Sequence, residues 1–69
     1  MAFGQIVKTV RDILGISQEQ LAREVSVSFS TVNRWENEKS RPSQMAKELF
    51  RRFCDNKGID LNVLEKGGV

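Results

Sequence analysis

Four side chains able to read a hydrogen-bonding surface stand inside the stretch "VSVSFSTVNRWENE", residues 25 to 38: Ser30, Asn33, Arg34 and Asn37. On a helix they share one outward stripe, while Val32 and Trp35 point the other way. A guanidinium and two amides on one face supply donors and acceptors in a fixed pattern, which suits recognition of a polar partner surface. Trp35, the single tryptophan of the chain, is most simply a core anchor beneath that stripe.

The same inventory speaks against catalysis. There is no His, one Cys, no glycine-rich phosphate loop and no cluster of carboxylates, so nothing assembles into an active site. Ser17, Ser28 and Ser43 lack a His to activate them and stand where helix caps are wanted. Cys54 has no partner for an internal disulfide and no His with which to complete the usual zinc sets, and it reads as a small core residue. No catalytic residue, no metal and no cofactor is expected.

These side chains need helices to hold them. Ile6, Val7, Val10, Ile13 and Leu14 recur at helical spacing over residues 4 to 14, opposite Gln5, Lys8, Thr9 and Asp12, and Gly15 is a natural stop. Ser17 with Gln20 three residues on reads as a capping box for a second, two-turn helix burying Leu21, Ala22 and Val25. After Ser26, Val27 and Ser28, a third helix begins near Phe29 with Ser28 as its cap. Ser43 caps a fourth carrying Met45, Leu49, Phe50, Phe53 and Cys54 on one side and ending near Gly58. Asp60 caps a short fifth turn with Leu61, Val63 and Leu64, and "KGGV" frays beyond it. The predicted fold is all-α, a compact bundle of four to five short helices in one domain over residues 1–69.

With 69 residues there is room for one small core, and 39% hydrophobic with 29% charged residues is the composition of a soluble globular chain. Eleven Lys and Arg against nine Asp and Glu leave a net charge of +2, compatible with nucleic acid without demanding it. No apolar run approaches the roughly 20 residues of a membrane span, and the opening "MAFGQIVKTVRD" lacks a secretory leader. A reducing cytoplasmic setting, at the nucleoid if the source is bacterial, is the expectation.

Two short helices joined by three residues, the second presenting Ser, Asn and Arg outward, have the layout of a helix-turn-helix. Residues 15 to 43, "GISQEQLAREVSVSFSTVNRWENEKSRPS", resemble the phage-repressor and Cro-type (XRE-like) helix-turn-helix family. That family's pattern runs Leu-Ser-Gln-x-x-Leu-Ala, a Gly-containing turn, Ser-x-x-Thr-Ile-x-x-Trp-Glu, then a basic loop and Pro-Ser. "GIDLNVLEKG" is similar to its closing helix. The resemblance implies a lambda-repressor-like DNA-binding domain with its helix-turn-helix at about 18–37 and closing helices at about 43–65.

It further implies roles by position. Phe29, Ser30, Asn33 and Arg34 fall where the family contacts bases. Gln18 falls where the family's glutamine supports both the DNA backbone and the reading side chains, Asn37, Lys39, Ser40 and Arg41 fall where it contacts the DNA backbone, and Arg11 with Glu36 match its structural ion pair. Arg34 has the paired donors that suit guanine O6 and N7, or else belongs to a plain solvated face. Phe29 either rests against a thymine methyl or covers Val25 and Val32. Arg11 and Glu36, read without the family, are equally two unrelated surface charges.

Departures from the pattern stand at Ser26 and Glu38, both in place of Gly where a positive backbone φ is often required. Glu38 also sets a negative charge beside the expected phosphates, harmful if it faces DNA and neutral if it turns away or pairs with Lys39. Leu61, Val63 and Leu64 either close the core or expose a dimer patch. The leading expectation is therefore a homodimeric transcription regulator, acting as a repressor on a double-stranded DNA operator. The alternative is an antitoxin-type or protein-interaction module of the same fold, with a protein partner on the C-terminal helices.

Overall fold

The computed structural model describes residues 2–65, and among these it is all helix and loop. In chain order the helices are α1 (Phe3–Leu14), α2 (Gln18–Glu24), α3 (Phe29–Glu36), α4 (Gln44–Asn56) and α5 (Leu61–Glu65). The expected fraying of "KGGV" at 66–69 lies outside the described residues. No helix among the described residues is long and apolar enough to cross a membrane.

The starts of the helices follow from local chemistry. Ser17, Ser28 and Ser43 each sit in extended backbone and accept from the amide three residues on, that of Gln20, Thr31 and Ala46. Each satisfies one donor that the helix geometry leaves without a partner. Asp60 Oδ1 accepts from the Asn62 amide at 2.9 Å and opens α5.

The ends of α1 to α4 share one device. A single residue in the left-handed region follows each helix: Gly15 (φ 67°), Ser26 (φ 60°), Glu38 (φ 58°) and Gly58 (φ 74°). The next amide then folds back onto the last turn, from Ile16 to the Arg11 carbonyl, Val27 to Ala22, Lys39 to Arg34 and Ile59 to Cys54. This is the Schellman arrangement, in which the residue after the left-handed one normally packs against the helix it terminates. Ile16, Val27 and Ile59 do so, lying partly buried against the core. Lys39 is exposed instead.

The core gathers Ile6, Val7 and Val10 from α1, Leu21 and Ala22 from α2 with Val25 at its end, Val32 and Trp35 from α3, and Ala46, Phe50, Phe53 and Cys54 from α4. Phe3 meets Trp35 and Phe50 edge-on, with ring centroids 5.3 and 5.5 Å away, and so stitches α1 to both neighbours. Gly4 lets the first turn of α1 lie against the end of α3, where a methyl would overlap the Trp35 carbonyl and the Glu38 carboxylate. Leu61 and Leu64 close the core from α5, while Val63 points outward.

Two apolar positions depart from expectation. Ile13, placed with the inward set of α1, and Met45, placed with that of α4, are exposed, Met45 by 75%. Both lie away from the centre of their apolar stripe, where no neighbouring side chains cover them. Periodicity gives the direction of a buried face but not its width.

Candidate nucleic-acid interface

On α3 the structure separates two faces as the spacing required. Val32 and Trp35 are buried, whereas Phe29, Ser30, Arg34 and Asn37 are exposed and Asn33 is half-buried. Phe29, 50% exposed, leaves half its ring in solvent at the first position of the helix. At that same end the Ser28 hydroxyl lies 2.8 Å from Thr31 Oγ1 and takes the Thr31 amide, so the entry to α3 is fixed from its own side chains.

The rest of α3 is held by a polar chain reaching in from α1 and α2. Arg11 Nε donates to Glu36 Oε2 at 2.6 Å and its terminal nitrogen to Oε1 at 2.9 Å, a two-point contact between planar groups. A further Arg11 nitrogen donates to the Ile16 carbonyl at 3.1 Å, which ties the pair to the turn after α1. Gln18, the first residue of α2, donates to Glu36 Oε1 at 3.0 Å and accepts from Asn33 Nδ2 at 3.1 Å. Asn33 in turn accepts from Asn37 Nδ2 at 3.1 Å. Five of the singled-out side chains thus form one connected network rather than independent surface groups.

Its electrostatics are consistent with that geometry. Burial alone would raise the Glu36 carboxyl, but hydrogen bonds from Arg11 and Gln18 and the charges of Arg11 and Lys8 outweigh it, holding Glu36 below the usual carboxylate range. The hydrogen bond to Glu36 correspondingly raises Arg11. Lys8 escaped the sequence reading; its position one turn before Arg11, on the same helix, was the available signal.

The loop after α3 carries the remaining cations. Lys39 and Arg41 are exposed, Ser40 is half-buried, and Arg34, Lys39 and Arg41 have no ion-pair partner among the described residues. On α4 Arg51 pairs with Glu48 and Asp55, and Arg52 with Glu48, while Lys47 has no ion-pair partner among the described residues. Glu38, the open question in this loop, lays its carboxylate on Gly4 in the first turn of α1 and does not pair with Lys39. That turn has neither a capping side chain nor an acid of its own.

Among the described residues no group of three or more His, Cys, Asp and Glu could hold a metal ion. The structure therefore offers a helix whose polar stripe is pinned from beneath, flanked by unpaired cations.

A helix-turn-helix family model matches residues 7–46, more than half of the chain, and covers α1 from Val7 onward, α2, α3 and the start of α4. Searches of curated proteins and of solved structures find no match. The chain belongs to the Cro/C1-type helix-turn-helix family, a family of DNA-binding transcription regulators.

Proposed function

We infer that this chain recognises a specific double-stranded DNA operator as a homodimer, with α3 in the major groove, and that it represses transcription by occupying the site. The observation that carries the reading is the exposed Ser30 and Arg34 stripe on a helix whose Asn33 and Glu36 are locked to α2 and α1. In this reading Phe29, Ser30, Asn33 and Arg34 face base edges, Arg34 with its paired donors toward guanine and Phe29 toward a thymine methyl. Gln18, Asn37, Lys39, Ser40 and Arg41 lie along the phosphates, where attraction is independent of sequence. Two copies would engage half-sites about one helical turn, roughly 34 Å, apart. Val63, exposed on α5, supports a small contact between copies there. Work on chromosomal DNA would place the protein in the cytoplasm.

The test is selection from a random duplex library at moderate and at higher salt. Enrichment of an inverted repeat with half-sites one turn apart is the expected result. Arg34→Ala should relax one base position by about 1–3 kcal/mol. Arg41→Ala should weaken all sequences alike and lower the salt slope by about 1. Unchanged operator binding by the Arg34→Ala/Arg41→Ala double variant would rule out this docking geometry. No retention of DNA at all would favour a protein-interaction or antitoxin-type role through the C-terminal helices, where Met45 and Val63 are exposed.

A further inference from the structure

From Arg34 to Arg41 the chain carries three cations, Arg34, Lys39 and Arg41, and two anions, Glu36 and Glu38. The cations are exposed and have no ion-pair partner among the described residues. Glu36 is neutralised by Arg11, whereas Glu38 pairs with no cation, so its effect on an anionic partner depends on where it points. Its backbone is left-handed (φ 58°), with its own amide returned to the Trp35 carbonyl at 3.1 Å and that of Lys39 to the Arg34 carbonyl at 2.8 Å. From that base the carboxylate reaches across to α1 and stands where a side chain at position 4 would begin. It lines a cleft of about 370 Å³ between the start of α1 and the loop, together with Ser40, Arg41 and Lys47. Two cations beside the cleft favour a carboxylate within it, while phosphates along the outer side of the loop would repel one.

We propose that Gly4 sets operator affinity without touching DNA, by leaving the space into which Glu38 withdraws its charge from the phosphates. The proposal rests on the reading of α3 as the major-groove helix, with Lys39, Ser40 and Arg41 along the DNA backbone. A methyl at position 4 takes the space of the carboxylate, which then leaves the cleft on the side of the loop that carries Lys39 and Arg41. There it offsets one of the cations on which attraction to phosphate depends. Gly4 is accordingly a positioning residue, and positions 4 and 38, which lie on different helices and 34 residues apart in the numbering, act on binding as a pair.

The experiment measures affinity and its salt dependence on the operator selected by the wild-type protein, for wild type, Glu38→Gln, Glu38→Asp, Gly4→Ala and Gly4→Ala/Glu38→Gln, with circular dichroism melts to verify folding. Glu38→Gln keeps the shape and loses a charge that is already withdrawn, so its affinity should stay within about twofold of wild type. Glu38→Asp is one methylene too short to reach Gly4 and should bind about 5-fold more weakly per subunit, the effect of one unit charge close to a phosphate in water. Gly4→Ala should lose a similar factor and show a shallower salt dependence, and Gly4→Ala/Glu38→Gln should regain both. The overlap with the Trp35 carbonyl is common to the two Gly4 variants, so their difference isolates the carboxylate. Should the Gly4 variants not fold, Glu38→Asp against Glu38→Gln carries the same comparison. Binding by Glu38→Gln about 5-fold or more tighter than wild type would show the charge already facing phosphate and overturn the proposal. Equal binding by Glu38→Asp and Glu38→Gln, or no rescue of Gly4→Ala by Glu38→Gln, would overturn it as well. A wild-type protein that selects no operator would remove the major-groove reading itself, and this proposal with it.

Discussion

Arg11→Met retains an unbranched apolar stem and removes the guanidinium, which makes it the sharpest probe of the contact between α1 and α3. Glu36, its side chain 7% exposed, would keep only the Gln18 hydrogen bond, and the Ile16 carbonyl would lose its Arg11 donor. Removing one partner of a buried pair costs about 3–5 kcal/mol, chiefly because the other charge stays buried. The Arg11 side chain is 17% exposed, so water reaches the site and the lower end, about 3 kcal/mol, applies. A domain of this size holds roughly 3–10 kcal/mol in total, and each kcal/mol moves its melting temperature by about 4–8 °C. The expected fall is therefore about 12–24 °C. In the double variant Arg11→Met/Glu36→Leu both charges are gone, and most of that loss should be recovered.

Acid adds a second signature to the same variant. In the wild type the folded Glu36 value lies below its ordinary 4.5, so its stabilisation is complete above that value and is lost as pH falls through the folded one. Without Arg11, burial prevails and the folded value rises above the unfolded one; the penalty is then present at neutral pH and disappears as pH falls through that raised value. The gap between wild type and Arg11→Met should narrow between neutral pH and the ordinary carboxylate range. Thermal and urea melts by circular dichroism measure all three proteins. A fall smaller than about 4 °C at neutral pH, a double variant no more stable than the single, or a gap independent of pH would refute the reasoning.

Ser26→Gly should stabilise the chain by about 0.5–1 kcal/mol in a urea melt, since relief of a left-handed non-glycine residue at φ 60° exceeds the added freedom of the unfolded chain. Gly4→Ala should cost about 1–3 kcal/mol, because its methyl meets the fixed Trp35 carbonyl as well as the Glu38 carboxylate. The Cys54 thiol, fully buried and pushed up to about 12 mainly by that burial, should be inert to a disulfide reagent in the native state and react once denaturant is added. Reaction of native Cys54 at the rate of a free thiol would contradict the packing of α4.

What was legible in the sequence was local. Ser17, Ser28 and Ser43 announce helix starts because a cap is a contact across three residues, and the apolar period of α1, α3 and α4 gives the direction of the core. Ile13 and Met45 were misplaced because the width of a buried face depends on which neighbours reach it. Arg11 and Glu36 lie 25 residues apart, and no spacing rule joins them; they were paired through the family resemblance, and the structure supplies the two-point geometry. Gln18 likewise owes its supporting role toward the reading side chains to the family resemblance, and the structure supplies its partner, Asn33, 15 residues away, because that depends on how the start of α2 lies over α3. Glu38 had two possible faces, and its carboxylate lies against Gly4 of α1, a contact that no local spacing rule joins.

The repeated helix ending sharpens the functional assignment without reference to any relative. Four helices end with the same backbone geometry, and packing asks for an apolar residue immediately after the left-handed one. Ile16, Val27 and Ile59 meet that demand; Lys39 does not, although its amide makes the same return to Arg34, at 2.8 Å. A position where the local rule fails while the backbone geometry survives is where a functional role is to be sought first. The failure falls at the C-terminus of α3, beside Arg34 and Arg41, which likewise find no anionic partner among the described residues. The backbone return is kept there without the apolar contact, and under the proposed docking the Lys39 ammonium would lie beside the phosphates.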